Sequence, residues 1–450
     1  MIKPILDNDF IPAIVYNREF LKKADKPFSV AVEREDGLVF RKDTFLSSDF
    51  EENCFYVERL IKTLLWSAGG YKVHIAGDIK VYEYIKECYT RDGLRAFDVD
   101  FWETTYENKF EVIYHELGEM PDAKNNPVSI GRHLDGCSRG FDAGGSDMKV
   151  ACVVNGETTW AEEIVWLPKV NSDVNYHYEQ IKAAMLKAAS HMERVDAVGI
   201  STAGVLVKNR AMVSSLFMKV DKAKDGERAK NIYIDVCKDL GYKMVVANDG
   251  DVAALACSMS LNVNGVLGIA MGTSEAGGYI DKDGHISGYM TELAFAPVDY
   301  NKSASCDPWS GDFGVGAEYF SQDAVIRLAP KAGIELDSEL TPTQKLKAVQ
   351  EHLESGHKGA EQIFETIGTY FGYAVANYNE IYDINHVQIS GRVTSGRGGE
   401  LILAKAKEVL EVEFPELNEK INLFLPGEMD RRVGQAVAAA SLKDVEGVCC

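Results

Sequence analysis

Two glycine turns, each closing an apolar strand and each carrying hydroxyl residues, set the strongest limit on what this chain can be. The first is Phe141-Asp142-Ala143-Gly144-Gly145-Ser146-Asp147, and the second is Gly268-Ile269-Ala270-Met271-Gly272-Thr273-Ser274-Glu275. Glycines at such a tip let backbone N–H groups approach phosphate oxygens, and Ser146, Thr273 and Ser274 add hydroxyl donors. One turn of this kind is an ordinary hairpin. Two in one chain could close on a nucleotide from opposite lobes, so the pairing carries the information.

A chain of 450 residues exceeds a single compact core and predicts two or three domains. Three blocks can be read: residues 1–130, residues 135–262 closed by a small-residue helix within 431–448, and residues 263–430. The second and third share a plan of strand, glycine turn and hairpin, with hairpin signals at Asn155–Gly156 and Asp283–Gly284. Helical and strand patterns then alternate (Tyr176–Ala189, Val195–Ser201, Ala360–Tyr382, His386–Ser390), which predicts a mixed α/β fold. The first block repeats the layout faintly. Ser29–Glu33 and Leu38–Thr44 flank Asp36–Gly37, followed by the helix Tyr56–Ala68 and the strand Lys72–Ala76. That order marks residues 1–130 as an N-terminal α/β extension, either a degenerate third copy of the half-domain or an unrelated one, and with no glycine-rich turn it is assigned no chemistry.

Composition excludes several classes. A net charge of −21 without a basic arm argues against a nucleic-acid partner. No run approaches the ~20 apolar residues of a membrane span. The start has no basic-then-apolar pattern, and the nine cysteines form no C-x-x-C, so a cytoplasmic chain with reduced thiols is expected. The aromatic residues of Ala360–Tyr382 read as core or as the surface of a homodimer, and His177 as a packed surface histidine. Cys449 and Cys450 read as a frayed terminus.

The chemistry falls on four segments. Asp142, at a strand end, can hold hydrated magnesium. In Ala247-Asn248-Asp249-Gly250-Asp251, Asp249 is placed to take a proton from a substrate hydroxyl that attacks phosphorus. The alternative for this segment is helix capping by Asp249 or Asp251. The Gly272–Ser274 turn is the third. The fourth, Gln388-Ile389-Ser390-Gly391-Arg392, is a strand ending in a glycine-rich loop where a flat base and ribose can approach.

In this order the segments resemble the phosphate-1, catalytic, phosphate-2 and adenosine segments of the ROK family of sugar kinases and sugar-responsive repressors, over roughly Arg139 to Leu442. Asp142, Gly144, Gly145 and Ser146 match its D-x-G-G-T. Val198–Gly204 is similar to its G-(I/V)-x-x-P-G, with Ala203 replacing proline, and Asn248–Asp249 matches its N-D pair. The resemblance implies an α/β fold of two ribonuclease-H-like (actin-like ATPase) lobes around a central cleft. It implies ATP and Mg²⁺ as cofactors, a sugar or sugar-like small molecule as substrate, and Asp249 as catalytic base. Asp142, Gly144, Gly145, Ser146, Gly272, Thr273, Ser274, Gly391 and Arg392 would bind nucleotide, with the magnesium held by Asp142 through water. Asn248, Glu292 and Glu318 would bind sugar.

The sugar segment departs from the family. Its G-E-(I/V)-G-H reads Thr291-Glu292-Leu293-Ala294-Phe295 here, and the C-x-C-G-x-x-G-C zinc cluster is replaced by Ser305–Gly314 with one cysteine, so no structural zinc is expected. Trp309, Phe295 and Tyr300 are expected to stack on a sugar face, with Asp307 and Asp312 on its hydroxyls. Asp147 and Glu275 add negative charge beside the two phosphate turns and would repel a triphosphate unless they point away or bind a metal. Arg392 or Arg397 is the expected compensation. A non-catalytic sensor is the second functional reading.

Overall fold

The computed structural model describes residues 1–125, 130–426 and 434–442. The chain opens with helix α1 (Ala13–Leu21) and the hairpin β1 (Lys26–Glu33)–β2 (Val39–Leu46), whose turn holds Asp36 and Gly37 at φ 58° and 67°. Asp49 caps α2 (Phe50–Ala68) by accepting from Glu52 N at 3.0 Å. Then come β3 (Lys72–Ala76), α3 (Ile79–Cys88), α4 (Ala96–Tyr106) and β4 (Glu111–His115). The sheet runs β2-β1-β3-β4, with β3 antiparallel to β1 and parallel to β4.

The meander β5 (Cys137–Ala143), β6 (Asp147–Val154), β7 (Glu157–Val165) follows, its second turn at Asn155–Gly156 as the sequence predicts. After it come α5 (Val174–Ala189), β8 (Ala197–Thr202), the small hairpin β9 (Val205–Val207)–β10 (Arg210–Val213), α6 (Lys222–Lys230), α7 (Ile232–Leu240), β11 (Met244–Asn248) and α8 (Asp249–Leu261). The sheet order is β11-β8-β5-β6-β7, with β11, β8 and β5 parallel. Phe141, Val150, Cys152 and Ile200 of the sheet bury against Ile181 and Met185 of α5.

The remainder comprises β12 (Val266–Met271), β13 (Glu275–Ile280), α9 (Gln322–Leu328), α10 (Pro342–Glu354), α11 (Lys358–Tyr378), β14 (His386–Ser390), α12 (Arg397–Glu413), α13 (Pro415–Lys420), β15 (Asn422–Phe424) and α14 (Gln435–Ala440). The hairpin expected across Asp283–Gly284 is reduced, among the described residues, to the bridge Ile280–Ile286. Asp281 Oδ1 accepts from the backbone of both Asp283 and His285, which curls the chain before a second strand can extend. The expected closing helix is present as α14, while residues 431–433 and Cys449–Cys450 lie outside the described residues. Glycine is required where α14 lands: a Cβ on Gly140 would stand 1.4 Å from Ala436 O, and one on Gly199 1.6 Å from Ala439 O. Among the described residues no helix is long and apolar enough to cross a membrane.

Two compact units result. One is Met1–Asn126, Ile269–Gly277 and Tyr289–Leu425; the other is Pro127–Gly268, Gly278–Gly288 and Pro426–Cys450. The N-terminal block thus shares a unit with most of the third block, and six buried charges explain why. Arg59 and Lys62 of α2 and Arg95 before α4 surround Asp312 at 3.0, 3.4 and 2.9 Å, while Glu58 and Asp98 balance the remaining positive charge. All six side chains are at most 5% exposed. Trp66, Phe97 and Trp102 pack beside them, with Phe295 4.6 Å from Trp66 between ring centroids.

Candidate functional site

The sequence-predicted residues fall into two groups, one in each unit. In the second unit, β5 carries Asp142 one residue before its end, and the chain turns over Gly144–Ser146 into β6. Gly144 N donates to Asp147 O at 2.9 Å, and Trp166 clamps the turn, its indole donating to Gly144 O at 2.8 Å and its backbone to Ser146 O at 3.2 Å. Asp147 folds back onto its own hairpin: its carboxylate accepts from Ser146 Oγ at 2.9 Å and from Lys149 Nζ at 2.8 Å. Those bonds hold its pKa below the ordinary aspartate value. The extra charge is therefore neutralised within the hairpin.

Asp142 is 4% exposed and accepts from Ser201 Oγ of β8 at 2.7 Å through one oxygen. Burial raises its pKa and the Asp249 charge adds to the rise, while the Ser201 bond and Lys149 oppose it. Asp249 is the first residue of α8. Capping is done by Asn248, whose Oδ1 accepts from Gly250 N at 2.7 Å and whose Nδ2 donates to Gly204 O at 2.9 Å. The capping reading of Asp249 and Asp251 is thus replaced. Asp251 instead accepts from Tyr279 N at 3.0 Å, and burial pushes its pKa up to about 7. Asp249 is also raised by burial, opposed by the Gly250 N–H and by the Lys169 charge.

Lys169 escaped the sequence reading. It lies on a 3-10 turn after β7, and a Cβ built on Gly145 would stand 2.8 Å from its Cε and 3.0 Å from its Nζ. An exposed ammonium thus reaches over the first glycine turn and acts electrostatically on Asp249. His177 anchors that turn. It is fully buried rather than at the surface, with ring nitrogens 2.9 Å from Asp173 O and 3.1 Å from Pro168 O. The Leu167-Pro168-Lys169 tripeptide held no periodicity or motif that would have singled out the lysine.

In the first unit the Gly272–Ser274 turn and the Gly391–Arg392 loop meet. Gly391 sits at φ 99° so close to β12 that a Cβ would be 2.4 Å from Met271 O. Arg392 donates to Thr273 Oγ1 at 3.1 Å and to Thr343 Oγ1 at 3.3 Å, whereas Arg397 pairs with Glu361. Of the two arginines named, Arg392 supplies the positive charge at the turn. Thr273 and Ser274 are exposed, but Glu275 turns inward. It accepts from Tyr378 OH at 3.3 Å, and burial pushes its pKa up to about 8. A Cβ on Gly316 would stand 2.0 Å from its second oxygen. At neutral pH this residue is largely a neutral acid in the core, not a charge beside phosphate.

The sugar-side expectations divide. Glu318 is buried, accepts from Ser305 Oγ, and has its pKa raised by burial. Glu292 is half-buried at the start of the 3-10 turn Leu293–Phe295. Phe295 and Tyr300 are buried against Trp66 and against Tyr16 and Phe55, so they offer no face for stacking. Asp312 is consumed by the six-charge cluster, and Asp307 caps Ser310 N at 2.6 Å. Trp309 stays 63% exposed. The aromatic residues of α11 lie inside their unit and form core, not a dimer surface.

The α/β fold is shared with solved ROK-family structures, among them sugar kinases and a transcriptional regulator. Among solved structures, the ROK hexokinase of Thermus thermophilus matches with a TM-score of 0.54 and 17% identity over 68% of this chain and 97% of that one. A ROK-family transcriptional regulator, a homolog of the E. coli MLC protein, matches at 0.54 and 16% over 69% and 80%. A putative sugar kinase from Cytophaga hutchinsonii matches at 0.50 and 17% over 68% and 99%. No curated protein sequence matches. The ROK family model covers residues 138–421, and the chain belongs to the ROK family.

Proposed function

We propose that this chain is an ATP-dependent phosphotransferase acting on a hydroxyl of a sugar or sugar derivative. The observation that carries the reading is the grouping of Asp142, Asn248, Asp249 and Lys169 about one glycine turn. Two carboxyls with raised pKa values stand there beside lysines that oppose the rise. Asp142 keeps one oxygen beyond its Ser201 bond, which fits a magnesium ion that retains its waters. When bound, the ion would offset phosphate charge.

The other steps belong to the protein. In the second unit the Gly145 N–H serves a phosphate oxygen, since the Gly144 N–H and the Ser146 hydroxyl are bonded to Asp147; in the first unit the exposed Thr273, Ser274 and Arg392 offer donors for phosphate, and Gly391 gives room for the adenosine. Asn248, fixed by its two bonds, has one N–H left for the sugar. Asp249 accepts the proton of the sugar hydroxyl as that oxygen bonds to the γ-phosphorus and the bond from phosphorus to the β-phosphate oxygen breaks. Transfer of this kind asks of the protein positioning, charge and a base. Glu292 and Glu318 would hold further hydroxyls.

A second reading, a ligand sensor without chemistry, is favoured by one observation: Phe295, at the family's histidine position, is packed on Trp66. Calorimetry with ATP, with and without magnesium, on the wild type and Asp142→Ala tests the nucleotide site. A sugar panel with Asp249→Ala as the inactive control follows. Magnesium-dependent binding lost in Asp142→Ala, with turnover lost in Asp249→Ala, supports the kinase. Sugar binding without ATP binding supports the sensor.

A further inference from the structure

The sheet β2-β1-β3-β4 of the first unit has two unlike faces. Val30, Val32, Val73 and Ile75 are buried on one of them. Strand alternation puts Glu33, Lys72, His74 and His115 on the other, where Ala31 and Ala76, in register with His74 and His115, pack under Met120. On this second face His74 Nδ1 and His115 Nε2 stand 2.8 Å apart, and His74 Nε2 is 3.1 Å from Glu33 Oε2. None of these residues belongs to the phosphate or sugar groups.

The surroundings fix the protons of this row. Burial raises the Glu33 pKa, but the bonds from Lys72, at 2.8 Å, and from His74 outweigh it and bring the value below the ordinary one. The carboxylate is therefore ionised at neutral pH and can only accept. His74 is 5% exposed, and burial lowers its pKa against the pull of Glu33, so its ring is neutral. With its one N–H turned to Glu33, the lone pair lies on Nδ1, on the side of His115. A neutral imidazole whose far nitrogen donates to a carboxylate is the arrangement of metal-binding histidines, since the carboxylate holds the ring and raises its basicity.

We propose that His74 Nδ1 and His115 Nε2 bind one divalent transition-metal ion, with Glu33 orienting His74. Imidazole nitrogens favour nickel, copper or zinc over magnesium or calcium. With metal–nitrogen bonds of about 2.1 Å, a separation of 2.8 Å subtends roughly 90°, which fits adjacent corners of tetragonal or octahedral Ni²⁺ or Cu²⁺ better than tetrahedral zinc. His115 is half-buried on the edge strand β4, so its ring can turn to bring both lone pairs onto one point, its Nε2 proton passing to Nδ1. Among the described residues no third His, Cys, Asp or Glu completes the set, so water fills the remaining corners. The ion would tie β4 to β3. This inference stands on the N-terminal block and does not depend on the kinase reading, whose magnesium takes oxygen ligands.

The test titrates the full chain with Ni²⁺ by calorimetry in magnesium-free buffer. Because the sequence ends in Cys449–Cys450, the Cys449→Ser/Cys450→Ser protein is titrated beside the wild type. A single saturable site is expected in both, weakened more than tenfold in His115→Ala and about tenfold in Glu33→Gln, which keeps an acceptor for His74 but loses the charge. No saturable binding, a site that vanishes with the terminal thiols, or unchanged affinity in His115→Ala overturns the proposal. A second measurement needs no variant to fold. With substoichiometric Ni²⁺, paramagnetic broadening in the assigned wild-type spectrum should reach the ring protons of His74 and His115 before those of the other histidines. Broadening that begins elsewhere is the contrary result.

Discussion

Arg59 grips Asp312 across 253 residues of sequence, Nη1 lying 3.2 Å from one carboxylate oxygen and Nη2 3.0 Å from the other. The fork is buried, and it ties α2 to the loop where the family's zinc cluster would fall. Removing one partner of such a pair strands the other charge away from water, at a cost of about 3–5 kcal/mol. Asp312→Asn and Arg59→Leu should each lose stability of that order in denaturant unfolding. A loss within experimental error would mean that the cluster is wet and weak.

Glu275 predicts a pH dependence. Its carboxyl has a higher pKa in the native state, about 8, than unfolded, so the folded chain binds the proton more tightly. Its contribution is therefore full below the unfolded value and is lost as pH rises toward 8. Glu275→Gln keeps the shape without the ionisation. Relative to it, the wild type should lose a few kcal/mol between about pH 5 and 8. Parallel stability curves for the two proteins would contradict the burial argument.

Lys169 is exposed and should matter to binding, not to folding. Lys169→Ala is expected to leave the unfolding midpoint unchanged and to weaken magnesium-ATP binding about tenfold, the loss of one charge-assisted contact. Because its charge lowers the Asp249 pKa, the variant should also move the pH profile of turnover upward. Lys169→Arg should recover most of both effects.

Asp249 carries the proposed proton transfer. Asp249→Asn should reduce turnover by about 10²–10⁴ while leaving the fold intact. Its raised pKa means that wild-type activity should rise with pH through an inflection above the ordinary aspartate value. A flat profile over that range, with activity retained in the asparagine variant, would remove Asp249 from the mechanism.

Much of the fold was legible in local patterns. The Asn155–Gly156 and Asp36–Gly37 turns, the strand before Asp142 and the helix after Asn248 all announce themselves through turn chemistry and periodicity. The hairpin–helix–strand order of the first block is present too. Its sheet, β2-β1-β3-β4, repeats the order and directions of β7-β6-β8-β11, which is the sheet of the second unit with β5 left out. We read it as the degenerate third half-domain. The missing strand is the one that carries Asp142, which accounts for the missing phosphate turn.

What could not be read was direction and partnership. Asp147 and Glu275 look alike as extra acids beside glycine turns, yet one pairs with Lys149 and the other enters the core. Tyr300, Phe295 and Asp312 have the composition of a sugar site, and long-range packing against the first block claims all three. Lys169 and Ser201 join the site through contacts between segments that are distant in sequence.

The bare backbones of Gly140 and Gly199 under α14 bear on the order of events in synthesis. Those glycines sit on β5 and β8, and the helix that covers them is made some three hundred residues after β5 emerges. Until residues 435–440 exist, the strand that carries Asp142 has an uncovered face. The nascent chain therefore carries its future phosphate turn in an unfinished sheet until the last helix is made.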